Sequence, residues 1–289
     1  MTGTGTSTDP YIIMTAAELY EMETLGGADV YFRLGADIDF NWTEYAQDFV
    51  SIPLKCKELD GDGHVIRSVY SSNMSDKASV FTLYKATETG SAQSMKNLVF
   101  EEIYLTGQYP CFFSGLSDGP LTLTNCIFSC HFKATSVVEN STYSHYSLMN
   151  SGARKLSFDL CTLIVKAELL KPYPVIADGS AKRSQLRLDY TILNADLNNA
   201  NRLSLVYGVT MNDVYFFGKI SQTLGTGEEN FMFSSGGSHS NCYQVVEYKK
   251  FSTARWDSTL SSPCFYDMEA AGNAEVVNTL ASGYYPDNL

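Results

Sequence analysis

The chain has 289 residues, and its 32 Asp+Glu against 20 Lys+Arg give a formal charge of −12 and a pI near 4.7. That charge repels phosphate backbones and anionic headgroups, and the basic pairs Lys182–Arg183 and Lys249–Lys250 are too small to offset it, so nucleic acid and membrane insertion are excluded as expectations. Hydrophobic residues at 44%, with 13% aromatics, supply a sizeable core and exclude intrinsic disorder.

In chain order, the first elements lie within residues 3 to 25. Asp9-Pro10 sets an extended approach and Tyr11-Ile12-Ile13 forms a first strand. Thr15 with Glu18 is a capping box that opens a helix over Ala16 to Leu25, ended by Gly26-Gly27. A helix there covers the open end of a stacked-strand structure. Three segments together carry a resemblance: residues 5 to 19 (GTSTDPYIIMTAAEL), Arg33 to Phe40 (RLGADIDF) and Leu59 to Ile66 (LDGDGHVI). Over residues 3 to 70 the chain resembles right-handed parallel β-helix proteins of the pectin-lyase-like class, which include phage tail proteins and bacterial surface proteins. The resemblance implies a capping helix, a first coil and a coil turn, and it says much less about activity, because that fold hosts lyases, hydrolases, adhesins and virion fibres.

Beyond residue 70 a repeat sets the fold. Short apolar runs recur before glycines, namely Gly90, Gly115, Gly152, Gly179, Gly208 and Gly236, each read as a turn, at a mean spacing of about 29 residues. After each comes a longer strand-like run: Lys96 to Thr106, Leu121 to Lys133, Leu156 to Leu169, Gln185 to Leu197, Met211 to Ile220 and Asn241 to Phe251. Alternation in the fourth run predicts Leu186, Leu188, Tyr190 and Ile192 on one face. Such a unit cannot bury its apolar face alone, so units must stack. The expected fold is all-β, a right-handed parallel β-helix with a short N-terminal capping helix. One domain is expected, with residues 1–70 as cap and first coils, 71–251 as regular coils and 252–289 as a C-terminal closure.

Seven cysteines, Cys56, Cys111, Cys126, Cys130, Cys161, Cys242 and Cys264, contain no Cys-x-x-Cys and read as reduced thiols packed among strands. Asp60-Gly61-Asp62-Gly63-His64 invites a calcium reading, but Val65 and Ser71 stand where an EF-hand needs Gly and Glu, so turn chemistry explains it better. No metal or cofactor is expected. Stacking could gather Asp159, Asp189, Asp196 and Asp213 on an outer face, with Arg187 or Lys166 nearby, yet nothing in the sequence singles out a catalytic pair. The histidines His64, His131, His145 and His239 are isolated and lack a zinc spacing. The 19 Tyr and 16 Phe imply interior stacks. Exposed aromatics are the candidate binding residues: Tyr143, His145 and Tyr146, and Tyr284 with Tyr285.

These features lead to a functional expectation. The chain reads as a non-enzymatic virion protein of the phage tail or fibre type that contacts the host surface. It would be made in the host cytoplasm, since Met1 to Asp9 is polar where a signal peptide would be basic and then apolar. Expected partners are copies of itself, a trimer if it forms a fibre, other virion proteins and cell-surface glycan. A carbohydrate depolymerase, either lyase or glycoside hydrolase, and a bacterial adhesin are the alternatives. The stretch from Met268 to Leu280 has only a weak helical pattern, which places the expected self-association at the C-terminal end.

Overall fold

The structure, a computed structural model, describes residues 1–41, 49–71, 79–83, 92–107, 110–115, 117–134, 153–168, 177–178, 185–189, 191–198, 204–221, 231–240, 242–249, 254–255 and 265–267. The strands pair in parallel and build a solenoid with three walls. Among the described residues, sheet A runs through eleven strands, beginning with Tyr11–Ile13, Tyr31–Leu34, Glu58–Asp60 and Gln93–Lys96; sheet B has nine, from Ile38–Asp39 to Phe265–Asp267; and sheet C has three, Ile52–Leu54, Ser79–Leu83 and Cys111–Gly115. All-β parallel coils therefore form, as the repeat implies.

Coil length can be read along sheet B. Register carries Ile38 to Ile66, Phe100, Phe128, Leu163, Leu193, Phe216, Gln244 and Asp267. Those eight steps average (267 − 38)/8, or about 29 residues, which matches the sequence period.

The first coil is capped as expected, with one change. Two short helices, α1 (Ala16–Tyr20) and α2 (Met22–Leu25), replace a single helix. Thr15 Oγ1 accepts from Glu18 N–H, and Glu18 Oε2 accepts from Met14 N–H at 2.6 Å. These bonds satisfy donors that a helix start leaves unpaired. Leu19 and Met22 are fully buried under the cap.

Five of the six long runs are not single strands. Each of the five passes from a sheet A strand to a sheet B strand across two residues: Ser117–Thr124 and Ile127–Ala134 flank Asn125-Cys126, and Ala153–Asp159 and Thr162–Glu168 flank Leu160-Cys161. The sixth, Asn241 to Phe251, holds the one sheet B strand Cys242–Lys249 among the described residues. The first turn residue is left-handed, with φ of 54° at Asn97, 52° at Asn125, 54° at Leu160 and 52° at Asp213. One such residue redirects the chain from one wall to the next. The turn also corrects the alternation drawn through Leu186 to Ile192. Leu188 is buried, but Thr191 in the turn is fully buried too, and Ile192 opens the sheet B strand Ile192–Asn198, paired with Thr162. Leu188 and Ile192 thus belong to different walls, and Tyr190 lies outside the described residues.

The glycine turns also need correction. Gly208 and Gly236 lie inside the strands Ser204–Asn212 and Phe231–Ser240 at one register position, and Gly115 ends a sheet C strand. Both strands belong to sheet A, so at these two glycines the chain stays extended within one wall. Gly90, Gly152 and Gly179 lie outside the described residues.

The left-handed positions stack from coil to coil. Asn125 Nδ2 donates to Asn97 Oδ1 at 2.9 Å, and Asn97 Nδ2 donates to Asp60 Oδ1 at 3.0 Å. Asn tolerates the left-handed region because its short amide bonds locally, whereas a leucine there costs about 1–2 kcal/mol. Leu160 sits in that position at 57% exposure. Leu160→Asn is expected to stabilise the protein by about 1 kcal/mol, relieving the backbone and extending the amide stack to Asn125. A urea midpoint that falls would show that Leu160 makes a contact worth more than this strain.

The second turn residue points inward and closes the end of sheet A. Cys126 Sγ donates to Thr124 O at 3.3 Å, Cys161 Sγ to Asp159 O at 3.3 Å, and Thr191 Oγ1 to Asp189 O at 2.9 Å. The three bonds repeat one geometry on successive coils. Among the described residues Cys56, Cys111, Cys126, Cys130 and Cys161 are all buried thiols outside any disulfide. Burial pushes the thiols of Cys56 and Cys130 well up, and the hydrogen bond with Cys161, followed by burial, raises Cys126. A thiol reagent at pH 8 should therefore leave these five unmodified in the native protein and label all of them in denaturant. Rapid native labelling of any one would contradict this packing.

Candidate ligand-binding face

Strand alternation sends every second residue of sheet A inward. Phe32, Leu59, Met95, Leu123, Phe158, Leu188 and Met211 form the inward row, and all are buried. The residues between them face out in two rows. One aligns Arg33, Asp60, Lys96, Thr124, Asp159, Asp189 and Asn212. The other aligns Tyr31, Glu58, Ser94, Thr122, Ser157, Arg187 and Thr210. After Tyr31 neither row holds an aromatic or aliphatic residue, so the wall is a flat strip of hydroxyls, carboxylates, amides and cations, repeating every ~4.8 Å.

Two charge clusters punctuate the strip. Near its N-terminal end Lys96 Nζ lies 2.8 Å from Glu58 Oε1 and 3.3 Å from Asp60 Oδ2. Ser94 Oγ donates to Glu58 Oε2 at 3.2 Å, and Asp60 Oδ1 accepts from Asp62 N–H at 3.0 Å. The hydrogen bond with Glu58 holds the Lys96 ammonium above its ordinary pKa. Beside this cluster a cleft of about 340 Å³ opens between sheet A and residues 2–10.

Further along, Asp159 and Asp189 are register partners on adjacent coils. Arg187 Nε donates to Asp189 Oδ2, and Asn212 Nδ2 donates to Asp189 Oδ1 at 2.6 Å. The hydrogen bond and charge of Asp189 raise the Arg187 pKa, with a smaller contribution from Asp159. Of the four aspartates grouped by sequence, the structure brings together these two. Asp196 instead lies on sheet B in register with Lys166 and Lys219, and Asp213 is a left-handed turn residue.

His64 and His131 lie on different parts of the coil. His64 Nδ1 lies 3.0 Å from Asp37 Oδ1, a contact that, with the Val65 N–H, holds the Asp37 carboxyl below its usual range. This contact and the left-handed Asp62 (φ 53°) and Gly63 (φ 85°) make the Asp60–His64 segment a coil turn. His131 sits on the outer face of sheet B, edge-on to Tyr104 with centroids 4.7 Å apart and with Nε2 3.4 Å from Glu168 Oε1. Burial lowers its pKa. Tyr70 stacks on Tyr104 at 5.4 Å and 12°. The candidate binding residues Tyr143, His145, Tyr146, Tyr284 and Tyr285 lie outside the described residues, as does the segment from Met268 to Leu280. Sequence reasoning missed Glu58, Lys96 and Arg33 as a group. Their signal is their place in the two outward rows, Arg33 and Lys96 in one and Glu58 in the other, which is legible only once the turn position is known.

Among the described residues no helix is long and apolar enough to cross a membrane, and no three His, Cys, Asp or Glu side chains gather as metal donors.

No protein-family model matches the chain, and no curated protein matches it either. Among solved structures it is similar to the crystal structure of a "putative immunoglobulin A1 protease" from Bacteroides ovatus. The two share 16% identity at a TM-score of 0.51, with 96% of this chain and 89% of that one covered. At that identity the likeness concerns the fold.

Proposed function

We propose that the chain is a non-enzymatic virion component of the phage tail or fibre type that meets the host by laying sheet A along a cell-surface glycan. The double row of polar side chains on that wall carries this reading. Each coil offers a fresh pair of hydrogen-bonding groups at ~4.8 Å pitch, close to the rise of one sugar in an extended chain. Mixed donors and acceptors suit hydroxyls, which need both. The resemblance of residues 3–70 to β-helices of phage tails and bacterial surfaces supports the setting, and copies of the chain or other virion proteins are its partners there.

A second reading, a depolymerase, draws on one observation. Asp159 and Asp189 stand one coil apart, a separation of the order that retaining glycosidases use, about 5–5.5 Å between carboxyls. One experiment separates the two. The purified chain is incubated with host-cell polysaccharide, and retention and polymer length are both measured. Retention that Arg187→Ala weakens, at unchanged polymer length, is the expected result, together with recovery of the chain from purified phage particles. Shortening of the polymer that Asp189→Asn abolishes would replace the binding reading with the enzymatic one, and no retention at all would remove both.

A further inference from the structure

The glycan reading treats sheet A as a strip along which a polymer could run in either direction, but the strip is blocked at one end. Residues 2–10 stand over it there and form the far wall of the 340 Å³ cleft. That wall is firmly built. Thr4 N–H and Thr6 N–H both donate to Asp9 O, Tyr31 N–H donates to Gly5 O at 2.9 Å, and Ile12 N–H donates to Thr2 O at 2.8 Å. Gly3 and Gly5 have φ of 95° and 75°, and a Cβ at Gly3 would come within 2.0 Å of Pro10 O, so the loop is held close against the first strand.

The lining has a definite chemistry. Its charged members are Asp9, Glu58 and Asp60 against Arg33 and Lys96, one negative charge in excess, which disfavours phosphate or a uronate. The place a metal ion would take between Glu58 and Asp60 is held by Lys96 Nζ, at 2.8 and 3.3 Å. A carboxylate can accept about four hydrogen bonds, and Glu58 uses two of them, on Lys96 and Ser94, which leaves acceptor positions for adjacent hydroxyls. Arg33 approaches Asp62 only at 3.9 Å and is 45% exposed, so its guanidinium can donate. Tyr31 adds an aromatic ring to the lining, a surface on which the C–H face of a sugar packs.

We infer that this cleft receives the terminal residue of a neutral glycan, a single sugar bearing adjacent hydroxyls, so that the rod reads chain ends as well as chain lengths. The inference rests on the glycan reading of sheet A but occupies its own site. Saturation-transfer NMR with free glucose, galactose, mannose and N-acetylglucosamine is the test, since a single sugar can fill the cleft but gains little from the long strip. At least one sugar should show transfer. Asp60→Asn should weaken it about tenfold or more, as expected for losing a bond to a charged group. Because Asp60 also anchors a turn, Thr8→Trp provides a variant in which an exposed loop residue fills the cleft without touching the core, and it too should abolish transfer. Arg187→Ala, which lies several coils away, should leave it unchanged.

No transfer from any of the four sugars, or transfer that survives Thr8→Trp, would overturn the cleft. Polymer retention that continues in that case would leave the wider reading of sheet A standing, whereas free-sugar binding by a protein that retains no polymer at all would leave the cleft standing alone.

Discussion

Replacing Phe112 by alanine is expected to cost about 3–5 kcal/mol, the range for deleting a buried aromatic side chain. Phe112 is fully buried and its ring meets four others: Phe113 at 4.8 Å, Phe100 and Phe128 at 5.0 Å and Phe81 at 6.0 Å. Those rings come from two walls of two successive coils, since Phe81 and Phe113 lie on sheet C and Phe100 and Phe128 on sheet B. The cavity left behind cannot collapse easily, because three of the four lining rings, Phe81, Phe100 and Phe128, belong to strands fixed in register on both sides. A solenoid's stability is built from nearest-neighbour contacts between coils, so loss at this point should lower the urea midpoint of the strand signal in far-UV dichroism. Phe128→Leu, which keeps most of the volume, should cost much less. An alanine variant within about 1 kcal/mol of the parent would mean that the rings repack across the gap.

The period, the strand character and the capped first coil were all legible in the sequence because each has a local cause. Strands alternate, turns need residues that accept unusual dihedrals, and Thr15 with Glu18 spells out a helix start. The corner between sheets A and B was not legible. It takes two residues, and its inward member is apolar or weakly polar (Leu98, Cys126, Cys161, Thr191, Val214), so hydrophobicity runs through the turn without a gap. Only its outward member is informative, and Leu160 at that position hides the pattern that Asn97 and Asn125 display. Without the corner the register is unknown, and without the register neither Glu58 with Lys96 nor Asp159 with Asp189 can be seen as neighbours. An acidic composition and a list of aspartates therefore gave candidates for a pair but no means of choosing between them.

Gln93→Met is expected to destabilise the protein by about 2–4 kcal/mol even though the side chains are nearly equal in size, because two buried carbonyls lose their donor. Gln93 opens a sheet A strand on the inward row that continues through Leu121 and Leu156, and it is only 4% exposed. Its Nε2 donates to Leu54 O at 3.0 Å and to Cys56 O at 3.3 Å. These two carbonyls lie where the chain leaves the sheet C strand Ile52–Leu54 and turns toward the sheet A strand Glu58–Asp60. A corner interrupts the coil-to-coil ladder, so a side-chain amide from the next coil takes over the bonding. By pattern alone an apolar residue would suit Gln93, as its neighbours in the row are leucines. The cost of the change thus lies in the backbone it serves and not in its own burial. Urea unfolding of Gln93→Met beside Leu121→Met separates the two effects: the second keeps every carbonyl paired and should cost less than about 1.5 kcal/mol, as volume-conserving core exchanges do. Equal losses in both variants would show that packing governs this row and that the corner carbonyls find other donors.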